Sequence, residues 1–462
     1  MTHTDAITGS WRELLGAKYL GTSIVLAGGV ALYATNEFLT ISLLPNTVAE
    51  IGGSRLYAWV TTLYLVGSVV AATMVNPMLV RIGARSSFLL GLAVFGVASL
   101  ACGAAPNMEV LIAARTLQGV AGGLLAGLGY AVINAALPRS LWTRASALVS
   151  AMWGVATVVG PATGGLFAQF GLWRWAFVAM AILTALMATL VPIALPAGRS
   201  ADAPPLRIPV WSLVLIGAAA LAVSVAQIPH NVAATAGLLA AAVVLVGLFA
   251  IVDRRMRAAV LPPSVFGPGP LKWIYLAMGL LMIGAMVDTY VPLFGQRLAH
   301  MTPLAAGFLG AALAVGWTVS EIVSASLESP RAIGRVIVAA PVVVASGLAL
   351  GALTQRDNAS AGTVAAWTLA LLVAGIGIGM AWPHLSVRAM DSVDDPAEGV
   401  AAAAAINTVQ LISGAFGAGV AGVVVNATQG GDAMAARWLF AVFTVLTGAG
   451  VVASYRAVRA NR

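Results

Sequence analysis

Apolar stretches of about 20 residues recur along the whole chain, and no other feature limits its possible folds as strongly. Each stretch is long enough to cross roughly 30 Å of hydrocarbon as an α-helix, whereas a β-barrel would alternate apolar and polar residues. Only 9% of the residues are charged, compared with about 25% in a soluble domain. The sequence therefore predicts an all-α integral membrane protein with fourteen spans, at 20–45, 57–80, 86–105, 109–136, 143–169, 174–195, 210–228, 233–252, 271–295, 303–326, 332–353, 363–388, 398–426 and 433–455.

The distribution of basic residues predicts the orientation of these spans. An even number of spans places both termini on one side of the membrane. If that side is the cytoplasm, eighteen Lys and Arg residues fall on inner segments and five on outer segments, as the positive-inside rule requires. We therefore expect a multi-pass protein of the cell (inner or plasma) membrane with both termini in the cytoplasm. The same loops account for the net charge of +8, so nucleic acid is not needed as a partner.

Several kinds of chemistry are not indicated by the sequence. The single cysteine, Cys102, allows no disulfide within the chain, and the four histidines are scattered without the spacing of metal ligands. The sequence contains no phosphate-binding G-x-x-x-x-G-K-[ST] motif, so ATP hydrolysis is not expected. We predict a protein that is not an enzyme and needs neither a metal nor a cofactor.

A faint internal repeat relates the two halves of the chain. Glu37 and Asp288 lie 251 residues apart, and each precedes a proline. RIGAR (81–85) and RAIGR (331–335) show a similar offset, as do GPATGG (160–165) and GAFGAG (414–419). Parallel repeats are a known transporter plan. The predicted organisation is two pseudo-symmetric six-helix bundles plus two inserted transmembrane helices, with a cytoplasmic tail at 1–19, the first bundle at 20–196, a linker with the inserted helices at 197–270, the second bundle at 271–455 and a second tail at 456–462.

Two consecutive spans carry closely spaced glycines. The fourth span contains LIAARTLQGVAGG (111–123), and the fifth contains GVATVVGPATGG (154–165). Glycines at four-residue intervals let helix backbones approach closely, and a proline inside a helix permits a bend. Isolated glycines of this kind usually serve only helix packing, but here they occur in order on neighbouring spans.

These stretches resemble motifs of the major facilitator superfamily, specifically of its drug:proton antiporters with fourteen helices. The family's fourth-helix motif is matched by Arg115, Gln118, Gly119 and Gly123. Its antiporter motif is matched by Gly154, Gly160, Pro161, Gly164 and Gly165. Further resemblances are WRWAF (173–177), YVPLFGQ (290–296), TPLAAG (302–307) and NTVQLISGAFG (407–417). The resemblance implies the major facilitator fold, and the antiporter motif implies export rather than import.

The sequence departs from the family pattern in two places. The loop between the second and third helices reads NPMLVRIGAR (76–85), in which valine replaces the family's aspartate. The gating residues that the resemblance implies are Arg81, Gly83 and Arg85. Because the aspartate is absent, Glu321 or Glu328 is a candidate substitute acid, and for Glu321 we expect a cytoplasmic gate contact with Arg331 or Arg335. On the first span the family's acid corresponds to Asn36, and the acid is Glu37 instead. In this respect the first span is closer to a branch of twelve-helix sugar and drug exporters.

Three charged side chains are predicted to lie within the membrane. Glu37, Arg115 and Asp288 fall about six to eight residues from the outer ends of their spans, and hence at similar depth. Because such charges are costly, we expect Glu37 and Asp288 to couple transport to protons, with Arg115 interacting with Glu37 directly or through water. The alternatives are a buried ion pair that only fixes helix register and, for Asp288, a position in a wet outer vestibule.

Few polar side chains are available to contact a substrate. The candidates are Asn36, Thr40, Tyr64, Gln118, Trp153, Tyr290, Asn407 and Gln410. Among so many apolar residues they suggest a large and mainly apolar cavity, which suits amphipathic compounds better than sugars. Each candidate taken alone is more typical of helix packing or helix–helix hydrogen bonding than of a substrate contact.

The sequence thus predicts proton-coupled export of hydrophobic or amphipathic small molecules, of the multidrug-efflux type, by alternating access of the two halves. The expected partners are a small amphipathic substrate, protons and the lipid bilayer. The chain is expected to act as a monomer driven by the proton gradient. The alternatives are an exporter of a lipid or endogenous metabolite, a proton-driven importer, and a non-transporting receptor or scaffold on the same fold.

Overall fold

A computed structural model describes residues 10–196, 209–228, 231–256, 259–393 and 396–459. The start of the predicted N-terminal tail (1–9), the start of the predicted linker (197–208) and the last three residues (460–462) lie outside the described residues. Within the described ranges the secondary structure is helical. A helix lies at each of the fourteen predicted spans, so the all-α prediction is confirmed.

The first half of the bundle is built from one long succession of helices. Its members are α1 (Trp11–Leu14), α2 (Leu20–Ile51), α3 (Tyr57–Gly103), α4 (Met108–Ala131), α5 (Ile133–Ala136), α6 (Trp142–Gln169) and α7 (Trp173–Ala194), with short 3₁₀ turns at Ser54–Leu56 and Arg139–Leu141. The 47 residues of α3 comprise two spans that meet at Gly83. Gly83 has φ 81° and ψ 168° there, a backbone conformation that residues with a Cβ rarely adopt.

Two further helices follow, and then the second half. The inserted pair is α8 (Val210–Val225) and α9 (Val232–Arg255), followed by a 3₁₀ turn at Pro263–Phe266. The second half comprises α10 (Leu271–Ala285), a 3₁₀ segment at Met286–Tyr290, α11 (Val291–Ala299), α12 (Pro303–Ser324), α13 (Pro330–Thr354), α14 (Ala361–Asp391), α15 (Pro396–Ala427) and α16 (Asp432–Arg459). Among the described helical segments, thirteen are long and apolar enough to cross a membrane. The seventh predicted span is the shorter apolar helix Val210–Val225.

The packing of the helices repeats between the halves. In the first half α3 packs on α4 and on α7, and α2 packs on α6. The second half has the same pairs, because α12 packs on α14, α13 on α16 and α10 on α15. The halves meet along two seams, α6 against α12 and α3 against α15. This arrangement agrees with the repeat in the sequence, while the domain boundaries themselves stay predictions.

Short loops join the helices at two opposite ends of the bundle. We call the end formed by 52–56, 104–107, 170–172, 226–228, 300–302, 355–360 and 428–431 the distal face, and the opposite end, where α2 begins and α16 ends, the terminal face. Polar caps help to begin the helices at the distal face, because the side chains of Asn107, Thr302 and Ser360 accept hydrogen bonds from backbone N–H groups in the first turns of α4, α12 and α14.

Candidate functional site

A buried polar cluster lies where α2, α3 and α4 meet. Close packing of α4 on α3 makes the cluster possible, because Gly119 touches the backbone of Tyr64 and a Cβ at Gly123 would lie 2.5 Å from Ser68. The glycines that the sequence singled out on the fourth span therefore sit at the contact between two helix backbones. The polar side chains of the cluster are those of Asn36, Glu37, Tyr64, Arg115 and Gln118, all of them buried.

Arg115 is held by neutral groups. Its side chain is 1% exposed, and Nη1 donates to Asn36 Oδ1 and to Gln118 Oε1, each at 2.6 Å. The guanidinium carbon lies 3.9 Å from the centroid of the Tyr64 ring, an arrangement that favours a cation. Gln118 in turn donates from Nε2 to Ser99 Oγ at 2.8 Å. The charge is therefore fixed in place by two amide oxygens and an aromatic face.

Glu37 follows Asn36 on α2 but does not pair directly with Arg115. No Lys or Arg nitrogen lies within 4.0 Å of its carboxylate in the described parts of the chain. The carboxylate is 8% exposed, and it lies within electrostatic range of Arg115. The predicted interaction between Glu37 and Arg115 is therefore a longer-range attraction and not a direct ion pair. The hydrogen bonds of Arg115 go to the side-chain amides of Asn36 and Gln118.

Asp288 belongs to the second half, at a break in the ninth span. It lies in the 3₁₀ segment Met286–Tyr290, and Pro292, four residues later, cannot donate the usual helical hydrogen bond to its carbonyl. The Val291 N–H bonds that carbonyl instead. The side chain is 9% exposed, and its Oδ1 has no hydrogen-bond partner in the described structure. It faces Gly310 of α12, where an added Cβ would lie 2.7 Å from Oδ1.

The two acids approach each other from opposite halves. Asp288 lies within electrostatic range of Glu37, and the 3₁₀ segment that carries Asp288 contacts α2. The sequence suggested a wet vestibule for Asp288 as an alternative. A cavity of about 450 Å³ does open at the distal face. It is lined on α11 by Leu293, Gln296 and Arg297, beyond the buried Asp288.

The antiporter motif of α6 lies at contacts with both halves. A Cβ at Gly164 would lie 2.5 Å from the carbonyl oxygen of Leu39 on α2, and one at Gly165 would lie 2.6 Å from Leu304 Cα on α12. The carbonyl of Pro161 lies against Gly307 of α12. The motif thus allows three helices to approach closely at the α6–α12 seam.

Aromatic side chains extend the site in two directions. Tyr33 stacks on Tyr64 with ring centroids 5.5 Å apart and meets the edge of Trp153 at 5.7 Å. Across the halves, Tyr57 stacks on Tyr290 at 4.7 Å. Tyr33, Tyr57 and Ser99 were not predicted from the sequence. Tyr33 lies four residues before Glu37, one helical turn away, and that spacing is the signal that could have identified it.

Of the other candidate residues, Thr40 borders this cluster. It is buried, and its Oγ1 lies 2.8 Å from the Asn36 carbonyl oxygen and 3.3 Å from the Asn36 Oδ1 that accepts from Arg115. Gln410 is half-buried and Asn407 is exposed on α15, outside the cluster. Gly154, the first residue of the antiporter motif, faces α12, because a Cβ added at Gly154 would lie 3.6 Å from Thr318 Cγ2.

The predicted gating residues are not brought together. Glu321 accepts a hydrogen bond from Trp317 Nε1 at 3.0 Å, and Trp317 packs on Trp382 with centroids 5.2 Å apart. Arg331 and Arg335 are exposed, and neither forms an ion pair with Glu321. On the other half Arg81 is exposed, Arg85 is half-buried and Gly83 forms the kink of α3.

The WRWAF motif fastens the distal ends of three helices. Trp173 Nε1 donates to Glu50 Oε2 at 2.6 Å, and Arg174 forms an ion pair with the same carboxylate. Arg174 Nη2 also donates to the carbonyl of Ala105 at 3.2 Å. This motif therefore braces α2, α3 and α7. Within the described ranges, no three His, Cys, Asp or Glu residues come together in a group that could hold a metal ion.

Comparisons with known proteins agree with this architecture. Residues 26–418 match the model of the Major Facilitator Superfamily. A probable multidrug-efflux transporter of Mycobacterium tuberculosis is 72% identical over 468 residues, covering 100% of this chain and 99% of that protein. A puromycin resistance protein of Streptomyces alboniger is 28% identical over 417 residues, covering 87% of this chain and 80% of that one. The crystal structure of a D-xylose–proton symporter superposes with a TM-score of 0.67 at 13% identity, over 95% and 98% of the two chains.

The matches extend along almost the whole chain, and the structural neighbour shares its fold. The packing pairs, the two seams and the motif glycines at the helix contacts are consistent with these matches. The chain belongs to the Major Facilitator Superfamily and is a multi-pass membrane protein.

Proposed function

We propose that the protein exports hydrophobic or amphipathic small molecules in exchange for protons, by alternating access across the cell (inner or plasma) membrane. The names of the relatives support an efflux role, since one is called a probable multidrug-efflux transporter and another a puromycin resistance protein. In this proposal the distal face is the outer side and the termini are cytoplasmic, as the basic residues of the terminal face favour.

One observation carries the coupling proposal. Glu37 and Asp288 are buried at the contact between the halves, and no Lys or Arg in the described structure lies within ion-pair distance of either carboxylate. Two ionised carboxylates so placed would repel each other and would both lack water. The state in which the distal face is closed over the two acids (the distal-closed state) is therefore favoured when a proton, or a bound cationic substrate, compensates their negative charge.

A transport cycle follows from this placement. When the distal face opens, water reaches the two acids, and they take up protons from the outside. Protonation lets the halves close again over Glu37 and Asp288. Proton release to the cytoplasm then leaves negative charge that favours binding of an amphipathic substrate from the terminal face. Arg115, held by Asn36 and Gln118, is a fixed positive charge that stabilises the ionised form of the Glu37 carboxylate.

The export itself is tested by a drug-susceptibility panel in a host that lacks its own efflux pumps. The wild-type protein is expected to raise resistance to several hydrophobic or amphipathic compounds, and Glu37→Gln is expected to abolish that resistance at equal expression. Glu109→Gln is the matched control, because Glu109 is an exposed acid at the distal start of α4 and should leave resistance unchanged. Wild-type protein that protects against no compound and moves none in membrane vesicles would contradict the proposal and favour a non-transporting role.

A further inference from the structure

The inserted helix α8 lies across the distal part of the α3–α15 seam. On the α3 side, hydrogen bonds hold the last turn of α8 and the short segment that follows it. Trp59 Nε1 donates to the carbonyl of Ser224 at 2.8 Å, and Arg55 Nη1 donates to the carbonyl of Ile228 at 3.3 Å. Ser224 lies in the last turn of α8, and its carbonyl also accepts from the Gln227 N–H at 3.3 Å, whereas Ile228 follows the helix. Directional hydrogen bonds therefore fix the distal end of α8 to the first half.

The contact of α8 with α15 is of a different kind. Val223 lies against Gly419, where an added Cβ would come within 2.8 Å of Val223 Cγ1, and Gln227 lies directly against Gly422. Ala58 of α3 reaches the same point, 2.8 Å from the Cβ position of Gly422. Three helices therefore meet at one glycine. Val223 and Gln227 thus lie over Gly419 and Gly422 (the glycine surface of α15), and neither side chain forms a hydrogen bond to α15 in the described structure.

Gln227 is buried at this junction without being satisfied. Its side chain is 3% exposed, and neither Nε2 nor Oε1 has a hydrogen-bond partner among the described residues. A buried amide without partners destabilises the state in which it is buried. When α15 moves away from α8, water can reach the amide. The side chain therefore favours opening of this seam, while the apolar contact of Val223 favours closure.

The other seam has no such cover. Between α6 and α12 the helix backbones touch directly, through Gly165 and Leu304 and through Pro161 and Gly307. Neither inserted helix is among the elements with several contacts to α6 or α12. Helix α9 packs mainly on α8, and Thr235 Oγ1 of α9 donates to the carbonyl of Ala226 at 3.2 Å. The inserted pair thus acts on one seam only.

We propose that α8 is a releasable strap over the distal α3–α15 seam. It stays attached to α3 and separates from the glycine surface of α15 each time the distal face opens, and Gln227 is the positioning residue that keeps this contact releasable. The proposal assigns a role to the inserted helices in the transport cycle, and it rests on the alternating access of the proposed function.

The test measures the distance between the halves at the distal face. Spin labels are placed at Glu109→Cys, in the first turn of α4, and at Gln429→Cys, in the loop after α15. Both positions are exposed at the distal face and belong to different halves. The background is Cys102→Ala, and the protein is in lipid nanodiscs. The distance distribution gives the ratio of distal-open to distal-closed protein. Gln227→Met keeps the length of the side chain and removes its unpaired amide, so it is expected to lower this ratio by at least about fivefold and to slow transport.

A second variant pushes the equilibrium in the opposite direction. Gly422→Ala adds a Cβ where Gln227 and Ala58 already make contact, so it is expected to wedge α8 and α3 away from α15 and to raise the distal-open fraction. The matched control is Gln355→Met, because Gln355 is also a buried glutamine near the distal face, with an unpartnered Oε1, but lies after α13 within the second half. It should leave the distance distribution unchanged.

The possible outcomes separate this inference from the proposed function. Two distance populations that Gln227→Met leaves unaltered, or that Gln355→Met shifts equally, would overturn the strap alone. A single distance in every variant, including the wild type, would overturn alternating access and the strap together. Opposite shifts in Gln227→Met and Gly422→Ala support the strap even if no exported compound is found.

Discussion

Replacement of Asn36 by leucine is the perturbation that most directly probes how Arg115 is held. Asn36 Oδ1 accepts one of the two 2.6 Å hydrogen bonds of Arg115 Nη1. Leucine keeps the branching of the asparagine side chain but is larger and has no acceptor. Arg115 as a whole residue is 1% exposed, so bulk water does not reach the site to replace the lost oxygen. A hydrogen bond to a charged group contributes about 1.5–3 kcal/mol, and the free energy of unfolding is expected to fall by about that amount.

The native cysteine provides the assay. Cys102 is completely buried beside Gln118, with its Sγ 3.7 Å from Oε1, so a fluorogenic thiol reagent should react only when this half unfolds. Heating the purified protein with the reagent is expected to show an unfolding midpoint several degrees lower for Asn36→Leu than for the wild type. Asn36→Asp restores an acceptor next to the guanidinium, and it should unfold at or above the wild-type temperature.

The control is the same substitution elsewhere on α2. Asn46 is half-buried and makes a weaker bond, with Nδ2 3.4 Å from the carbonyl of Ala168, so Asn46→Leu should change the midpoint less than Asn36→Leu. Equal midpoints for Asn36→Leu and the wild type would refute the assignment of Asn36 as a main anchor of Arg115. An equal loss in both leucine variants would show that the effect is not specific to the guanidinium.

Three further outcomes are expected. Gly164→Ala places a Cβ 2.5 Å from the Leu39 carbonyl and should lower the yield of monodisperse protein in size-exclusion chromatography, whereas Gly247→Ala on α9, with no atom near its Cβ position, should not. Asp288→Asn should lower the number of protons exchanged per substrate, measured from the pH gradient that balances a known substrate gradient, and an unchanged number would exclude Asp288 from coupling. Glu50→Gln breaks an ion pair whose partners are 37% and 50% exposed, so the free energy of unfolding should fall by no more than about 1 kcal/mol, and a much larger loss in chemical denaturation would contradict a surface role.

The fold could be predicted from the sequence because apolar length and charge distribution report directly on membrane spans. The Major Facilitator Superfamily assignment was likewise available from the motifs, and it is confirmed. The partner of Arg115 was not predictable in the same way. Asn36 and Glu37 are adjacent in sequence, but adjacent helical residues point about 100° apart, so only one of them can face Arg115. The rotation of α2, which packs on both α6 and α4, decides this.

The strap was also beyond the reach of the sequence. Helix α8 is apolar on all sides, so periodicity does not indicate which helices it covers. Gln227 is a single polar residue near the end of a span, where polar residues are common. Its role is indicated by its contacts at Gly422 and Ala58, which are distant in the chain and lie beside Gln227 only in the folded bundle.

Proton-driven accumulation in liposomes tests the central claim most directly. Purified protein is reconstituted, an imposed pH gradient supplies the driving force, and uptake of a substrate found in the susceptibility panel is followed in the wild type and in Glu37→Gln. The account predicts that the wild type concentrates the substrate against its gradient and dissipates the pH gradient as it does so. Glu37→Gln should bind the substrate without concentrating it. Equal uphill accumulation by Glu37→Gln, with the same proton flux, would contradict the assignment of Glu37 as a coupling acid.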